Sequence, residues 1–211
     1  MRNLYKIVLD SVSLSFAENK IFDKLSVELV AGKVNVITGA NGSGKSTFLK
    51  LAGQFIQPDS GIVKAFESNE EIDHIEFRRK IAAVAPSMNL YSELTAVENI
   101  NFFVGLRDIS LNDLEISALF ERVGLELSCK NKLISNFSTG MIQRLKFAIL
   151  LAVGADVWIL DEPCSNLDEA GKHLILGEIT TAASNSKLIL MATNDRDEVS
   201  IADEIINLPI V

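Results

Sequence analysis

Apolar and polar residues alternate near the start of the chain, where serines separate Val12, Leu14 and Phe16. This alternation predicts a strand with one buried face. Four later runs are mainly apolar, with Asn35 as the one polar residue, and predict short strands buried on both faces, at residues 34–37, 81–85, 157–160 and 188–191. Predicted helices at residues 45–52 and 169–184 lie between such strands, so the pattern indicates an α/β fold with a buried sheet.

Between residues 92 and 151 the pattern becomes helical. Thr95 and Glu98 have the spacing of a capping box, in which each side chain accepts from a backbone N–H of the other. Ser110 is expected to cap a following helix that Gly124 ends. We therefore predict an α/β core with a β subdomain, formed by residues 1–86 and 152–211, and a helical subdomain formed by residues 87–151.

Composition and charge narrow the classes of function. The chain has 211 residues, is 48% hydrophobic and carries a formal net charge of −8, which disfavours non-specific binding to nucleic acid. A membrane span needs about 20 apolar residues, and Asp156 interrupts the longest apolar stretch, so we expect no span. We also expect no signal peptide at the N-terminus. Cys129 and Cys164 lack metal-ligand spacing and are expected to be free thiols of a reducing cytoplasm.

A glycine-rich motif, GANGSGKST, follows the predicted strand at residues 34–37 and opens a predicted helix. Backbone N–H groups of such a loop and the helix N-terminus form a binding site for phosphate. Lys45 is expected to contact the β- and γ-phosphates, and Ser46 to ligate Mg²⁺. The alternative is a glycine-rich turn without a ligand. The predicted phosphate-binding residues are Gly39, Ala40, Asn41, Gly42, Ser43, Gly44, Lys45, Ser46 and Thr47.

Two carboxylates, Asp161 and Glu162, end the predicted strand VWIL. Phosphoryl transfer requires charge neutralisation and an oriented water. We expect Asp161 to hold Mg²⁺ through its water shell and Glu162 to polarise the attacking water. The alternative is an acidic turn in solvent, which the phosphate loop upstream disfavours.

Between these two motifs lies FSTGMIQRL, residues 137–145. In this order the three motifs resemble the nucleotide-binding domain of ABC ATPases, and the resemblance spans essentially the whole chain. It implies a P-loop NTPase core, with a RecA-like parallel sheet and an antiparallel β subdomain. It also implies a helical subdomain that carries the signature motif. Ser138 and Gly140 keep the usual LSGGQ pattern, and Gln143-Arg144-Leu145 follows as in the family.

The resemblance also implies roles for residues and for a second subunit. Mg²⁺ and ATP are expected between two protomers, as a homodimer or heterodimer, with Ser138 and Gly140 facing the γ-phosphate bound by the other protomer. The segment SNLD, which ends at Asp168, matches the D-loop that crosses the dimer interface. Phe16 falls where the family places an aromatic on adenine. The alternatives are a simple helix cap at Ser138 and a core phenylalanine at position 16.

Two positions depart from the family pattern. Ser87 stands where the family has a glutamine that contacts Mg²⁺, and Asn194 stands where it has a histidine on the γ-phosphate. An asparagine still donates an amide N–H, whereas Ser87 is short and is expected to reach Mg²⁺ only through water. Losing one directed donor in such a site reduces the rate on the order of 10²–10³-fold. Hydrolysis is therefore expected to be slow, or absent in a nucleotide-gated dimerisation module.

The resemblance further implies a cytoplasmic subunit, peripheral on the inner face of the membrane, that docks onto a separate transmembrane permease. The chain stops at Val211, soon after a last predicted strand, and no regulatory domain is expected. The STGM variant is similar to export-type subunits, including the haem-exporter ATPase of cytochrome c maturation. A less favoured alternative is an ATPase that acts on ribosomes or nucleic acid.

Overall fold

The computed structural model describes residues 4–17 and 19–208, so Val211 lies outside the described part. The chain forms two compact units, which we describe separately. Where described, the first comprises Met1–Ala83, Asp156–Glu162 and Ile179–Val211, and the second comprises Val84–Ala155 and Pro163–Glu178.

An antiparallel sheet in the first unit accounts for the alternation near the N-terminus. Its strands are β1 (Tyr5–Phe16), β2 (Asn19–Val30), β4 (Ser60–Glu67) and β5 (Glu70–Ile72), in the order β2-β1-β4-β5. Leu9 of β1 pairs with Val27 of β2 and with Val63 of β4. One face of β1 is buried, as the alternation predicts, while Phe16 at its end is 54% exposed.

A second sheet provides the buried strands. It consists of β3 (Val34–Thr38), β6 (Ile81–Val84), β7 (Val157–Asp161), β8 (Leu188–Ala192) and β9 (Glu204–Asn207), in the order β6-β7-β8-β3-β9. The pairs β7–β8, β3–β8 and β3–β9 are parallel. Every residue of β8 is buried, which confirms that the continuous apolar runs form strands covered on both faces.

The first unit also contains the helices α1 (Lys45–Ala52), α2 (His74–Arg79) and α7 (Arg196–Ser200). The buried residues of α1 include Phe48 and Leu51, which join strand residues such as Ile37 and Leu190 in one hydrophobic core. The predicted bounds of α1 are confirmed. The strand predicted at residues 81–85 ends one residue earlier, at Val84.

The second unit is helical. It contains α3 (Ala96–Gly105), α4 (Asp113–Arg122), α5 (Thr139–Val153), two short 3₁₀ helices (Leu127–Cys129 and Ile134–Asn136) and α6 (Glu169–Ser184) as far as Glu178. The predicted bounds of α6 are confirmed. Thr95 and Glu98 form the predicted capping box at α3, with Thr95 N–H donating to Glu98 Oε2 at 2.8 Å.

The predicted cap of α4 is wrong. Asn112, rather than Ser110, caps this helix by accepting from the N–H groups of Leu114 (2.9 Å) and Glu115 (3.0 Å). Glu115 completes a capping box by accepting from the Asn112 N–H at 2.8 Å. Asparagine and serine are similarly good caps, and Glu115 three residues after Asn112 decides between them. Gly124 follows the helix with φ +70°, as its predicted role requires.

We expect Asn112→Ala to lower the free energy of unfolding by about 1 kcal/mol, because two backbone donors lose their acceptor. Ser110→Ala is the matched control and is expected to change it by less than about 0.5 kcal/mol. Urea denaturation followed by circular dichroism measures both variants. Equal destabilisation by the two would contradict the assignment of Asn112 as the cap.

Candidate functional site

The carboxyl ends of three neighbouring parallel strands meet at one edge of the sheet in the first unit. Ile37 of β3 pairs with Ala192 of β8, and Ala192 pairs with Asp161 of β7. The hydrogen bonds continue past the strands, since Thr193 N–H donates to Ile37 O at 3.1 Å and Glu162 N–H donates to Ala192 O at 2.9 Å. Ligands of open α/β sheets bind at such an edge. The glycine loop, the two carboxylates and the segment with Asn194 therefore begin side by side.

In the loop that follows β3, two glycines lie too close to other atoms for a larger residue to fit. Gly39 has φ +150°, and a Cβ there would lie 2.5 Å from Ser43 Oγ and 2.8 Å from Leu208 O. Gly44 has φ +93°, and its Cβ would lie 2.6 Å from Ile21 Cγ2. Both the backbone conformation and the space exclude larger residues. Gly44 leads directly into α1, which places the helix N-terminus at the end of the loop.

Two polar side chains of this loop indicate that it binds an anion. Lys45 Nζ donates to the carbonyl oxygens of Gly39 (2.8 Å) and Ala40 (3.2 Å), so the ammonium lies over the loop. Ser43 is 5% exposed, and its buried hydroxyl has no hydrogen-bond partner among the described residues. A buried donor without an acceptor is unfavourable in the protein alone. Phosphate oxygens would provide that acceptor, and the cation and the helix N-terminus would balance their charge.

A cavity of about 370 Å³ joins the loop to the carboxylates at the end of β7. Ser46 and Thr47 line it together with Asp161 and Glu162. A hydroxyl and a carboxylate are the oxygen ligands that Mg²⁺ prefers, so Ser46 and Asp161 fit the metal assigned to them. Ile21, in β2, also lines the cavity. The sequence pattern around Ile21 does not distinguish it, since its alternation is that of any half-buried strand.

Glu162 adopts a left-handed backbone conformation, with φ +49°. This conformation is unfavourable for a residue other than glycine, and such residues cluster at functional sites. The Glu162 N–H bonded to Ala192 O holds the turn in place. The chain thus bends immediately after Asp161, and both carboxylates line the cavity although they are adjacent in sequence. The sequence identified the residue but contained no signal for this backbone conformation.

Asn194 lies beside the phosphate loop. It follows β8 and Thr193, and its Nδ2 is 3.2 Å from Asn41 Oδ1. Asn41 also lines the cavity. The structure therefore brings Asn194 to the glycine loop, as the sequence analysis expects, and shows a contact with Asn41 that it did not anticipate. The contact of Asn194 with a γ-phosphate stays a prediction.

Phe16 and Ser87 are both exposed. The Phe16 ring lies at the end of β1 and is available for stacking, so the alternative of a core phenylalanine does not hold. Ser87 belongs to the second unit and lies in a turn in which Met88 N–H donates to Ala85 O at 3.0 Å. Lys146 Nζ donates to the same carbonyl at 3.2 Å, and burial lowers the pKa of this lysine. The metal role of Ser87 stays a prediction.

In the second unit, Ser138 caps α5 and its hydroxyl accepts from Met141 N–H at 3.2 Å. Gly140 lies close to the segment 163–168, because a Cβ on it would be 2.8 Å from Asn166 O. A cavity of about 580 Å³ in this unit is lined by Ser138, Gly140, Lys132 and Arg144, among others. A helix N-terminus that opens into a cavity beside cations suits an anionic ligand.

Asp168 has contacts within its own unit. Its Oδ1 accepts from Gly171 N–H (2.9 Å) and from Arg144 Nη2 (2.5 Å). The Gly171 N–H, and then the Arg144 guanidinium, hold the pKa of Asp168 below its ordinary value. The carboxylate therefore satisfies a backbone donor in the first turn of α6. Its predicted part in nucleotide binding across a dimer stays a prediction.

A parallel sheet, a glycine loop that leads into a helix and a lysine folded over that loop define a nucleotide-binding protein of the P-loop class. The family model described as ABC transporter matches residues 22–165. The chain belongs to the ABC transporter ATP-binding family, as the sequence analysis predicts. ATP hydrolysis is the general activity of this family, and its ATP-binding subunits work with membrane permeases and dimerise.

Curated relatives of several transport systems are similar to this chain. The energy-coupling factor transporter ATP-binding protein EcfA1 of Fusobacterium nucleatum is 30% identical, over 96% of this chain and 78% of its own length. The bacitracin transport ATP-binding protein BcrA of Enterococcus faecalis is 29% identical, over 95% and 65%. The cytochrome c biogenesis ATP-binding export protein CcmA of Rhizobium etli is 31% identical, over 89% and 87%.

Solved structures show the same fold. The dimeric ABC transporter cassette MJ0796 aligns with a TM-score of 0.83 at 24% identity, over 96% of this chain and 94% of that chain. The same cassette in a post-hydrolysis state bound to ADP and Pi aligns with a TM-score of 0.82. In residues 4–17 and 19–208, no helix combines the length and the apolarity that a membrane span requires.

We expect Lys45→Met to weaken the binding of Mg·ATP on the order of 10–100-fold, because a hydrogen bond from a charged donor contributes about 1.5–3 kcal/mol. Lys50→Met is the matched control, since Lys50 is exposed in the same helix. Titration calorimetry measures both affinities. If both variants bound as tightly as the wild type, the phosphate site would not be at Lys45.

Proposed function

We propose that the chain binds Mg·ATP at the glycine loop, between two protomers, and hydrolyses it to drive transport through a separate membrane permease. The single observation that carries this proposal is the cavity at the ends of β3 and β7, where the loop and two carboxylates meet. We place the subunit on the cytoplasmic face of the membrane. The division into a catalytic core and a helical subdomain at residues 87–151 is part of the same proposal.

Four side chains at the cavity and one beside it have chemical tasks in this proposal. Lys45 and the backbone N–H groups of the loop bind the phosphates and oppose their negative charge. Ser46 and Asp161 would hold Mg²⁺, which would neutralise the charge that develops on the transferred phosphoryl group. Glu162 orients a water molecule and accepts its proton. Asn194 donates an amide N–H to the γ-phosphate from its position beside Asn41.

The direction of transport is proposed as export. One similar protein supports it by its name, the cytochrome c biogenesis ATP-binding export protein. The energy-coupling factor and bacitracin transport relatives show that similarity of this degree extends to other systems. The proposal of hydrolysis rests on Glu162 at the cavity, and the proposal of export rests on the export protein alone.

Glu162→Gln is expected to lower ATP turnover on the order of 10²–10⁴-fold, because it removes the proton acceptor, while Mg·ATP still binds. Phosphate release by the purified protein measures turnover. Glu121→Gln, an exposed change in α4, is the matched control and is expected to keep the wild-type rate. Zero turnover in both the wild type and Glu162→Gln, with nucleotide bound, would reject hydrolysis and favour a nucleotide-gated dimerisation module.

Asn194→His is expected to raise turnover by about tenfold or more, because imidazole is longer than the amide and restores a strong donor near the γ-phosphate. Asn194→Ala, which removes the donor, is the control and is expected to lower the rate below that of the wild type. Steady-state turnover at saturating Mg·ATP separates the three proteins. An unchanged rate in Asn194→His would place the limiting step elsewhere, with Ser87 as the next residue to change.

A further inference from the structure

The segment 163–168, which directly follows Glu162 in the chain, lies along one face of α5 in the second unit. Three residues of α5 with helical spacing contact it: Gly140, Gln143 and Arg144. Gln143 Nε2 donates to Pro163 O at 2.7 Å, and Arg144 Nη2 donates to Asp168 Oδ1 at 2.5 Å. Residues at i, i+3 and i+4 share a helix face. The segment therefore contacts α5 at its beginning, in its middle and at its end.

The Arg144 side chain occupies a space that two glycines leave open. A Cβ on Gly171 would lie 2.6 Å from Arg144 Nη2 and 2.7 Å from Asp168 Oδ1, and a Cβ on Gly124 would overlap Nη1. The guanidinium also donates to the carbonyl oxygens of Val123 (3.1 Å) and Gly124 (2.8 Å). One side chain thus joins α5 to the end of α4 and to the start of α6.

The ion pair between Arg144 and Asp168 by itself contributes little to stability. The Asp168 side chain is 70% exposed, and an exposed ion pair contributes at most about 1 kcal/mol. Arginine, by contrast, donates through a planar fork of fixed geometry. Asn166, in the middle of the segment, has a left-handed backbone with φ +62°. Asparagine adopts this conformation more readily than most other residues, so the turn at this position suits its sequence.

We infer that Arg144 is a positioning residue for the ATPase reaction. It fixes segment 163–168 against α5, so that the segment and the helix start at Ser138 and Gly140 meet a second subunit as one preformed surface. This inference rests on the proposed function, in which both elements contact the second protomer. A misplaced segment would leave ATP binding to one protomer intact and would impair the step that needs two.

The test compares two glycines of α6. Gly171→Ala pushes away the guanidinium and the Asp168 carboxylate that it holds, without removing either group, whereas a Cβ on Gly177 meets nothing within 4 Å among the described residues. Both substitutions replace glycine in α6 by alanine, the better helix former. In Gly171→Ala we expect amide hydrogen exchange in residues 163–168 to be at least about tenfold faster and kcat to fall about tenfold or more. Mg·ATP affinity of the monomer is expected to be unchanged, and Gly177→Ala to match the wild type.

The outcomes separate this inference from the proposed function. If the wild type hydrolyses ATP and both alanine variants have the same kcat, the positioning role of Arg144 is overturned, even where exchange increases. If the wild type binds ATP without turnover, hydrolysis is overturned, and ATP-dependent dimerisation measured by light scattering replaces kcat. Equal dimerisation of the two variants would then overturn the inference. Arg144→Lys, which keeps the charge and loses the fork, replaces Gly171→Ala if the latter does not fold.

Discussion

The register of three parallel strands determines the chemistry of the first unit. Ile37, Ala192 and Asp161 lie opposite one another across β3, β8 and β7, and the hydrogen bonds continue beyond the strand ends. A shift by one residue would turn each side chain to the other face of the sheet. Since both faces are buried, a shift that brought Asp161 to the position of Leu160 would place its carboxylate in the core. The buried sheet therefore fixes the place where the glycine loop, the carboxylates and Asn194 begin.

Glycines allow close contacts in both units. In the first, Gly39 and Gly44 leave the backbone free to turn closely around an anion, since a Cβ on either would lie within 3 Å of a neighbouring atom. In the second, Gly124 and Gly171 leave space for a guanidinium, and Gly140 lets α5 approach the backbone of Asn166. In each case the close approach requires glycine; the nearest atoms are polar at Gly39, Gly124, Gly140 and Gly171, whereas Ile21 Cγ2 lies nearest at Gly44.

The sequence predicts those features whose causes are local. The bounds of α1 and α6, the capping box at Thr95 and the buried strands follow from neighbouring residues in the chain. The sequence predicts the wrong cap for α4 because Ser110 and Asn112 are both good caps, and the contact between Asn112 and Glu115 decides between them. The left-handed Glu162, the contact between Asn194 and Asn41, and the space around Arg144 depend on residues distant in sequence. A sequence motif identifies such residues but does not predict their backbone conformation or their contacts.

At position 194 this chain has asparagine where the family pattern has histidine, and the two side chains differ in the charge that they can carry. The Asn194 amide is oriented by Asn41 of the glycine loop, so this side chain is held at the edge of the cavity. An asparagine side chain is neutral at every pH, whereas a histidine becomes cationic near neutrality. The chain thus keeps a donor beside the loop and loses the option of a positive charge there. Because Lys45 remains to oppose the phosphate charge, we expect the substitution to reduce the rate of the chemical step more than the affinity for nucleotide.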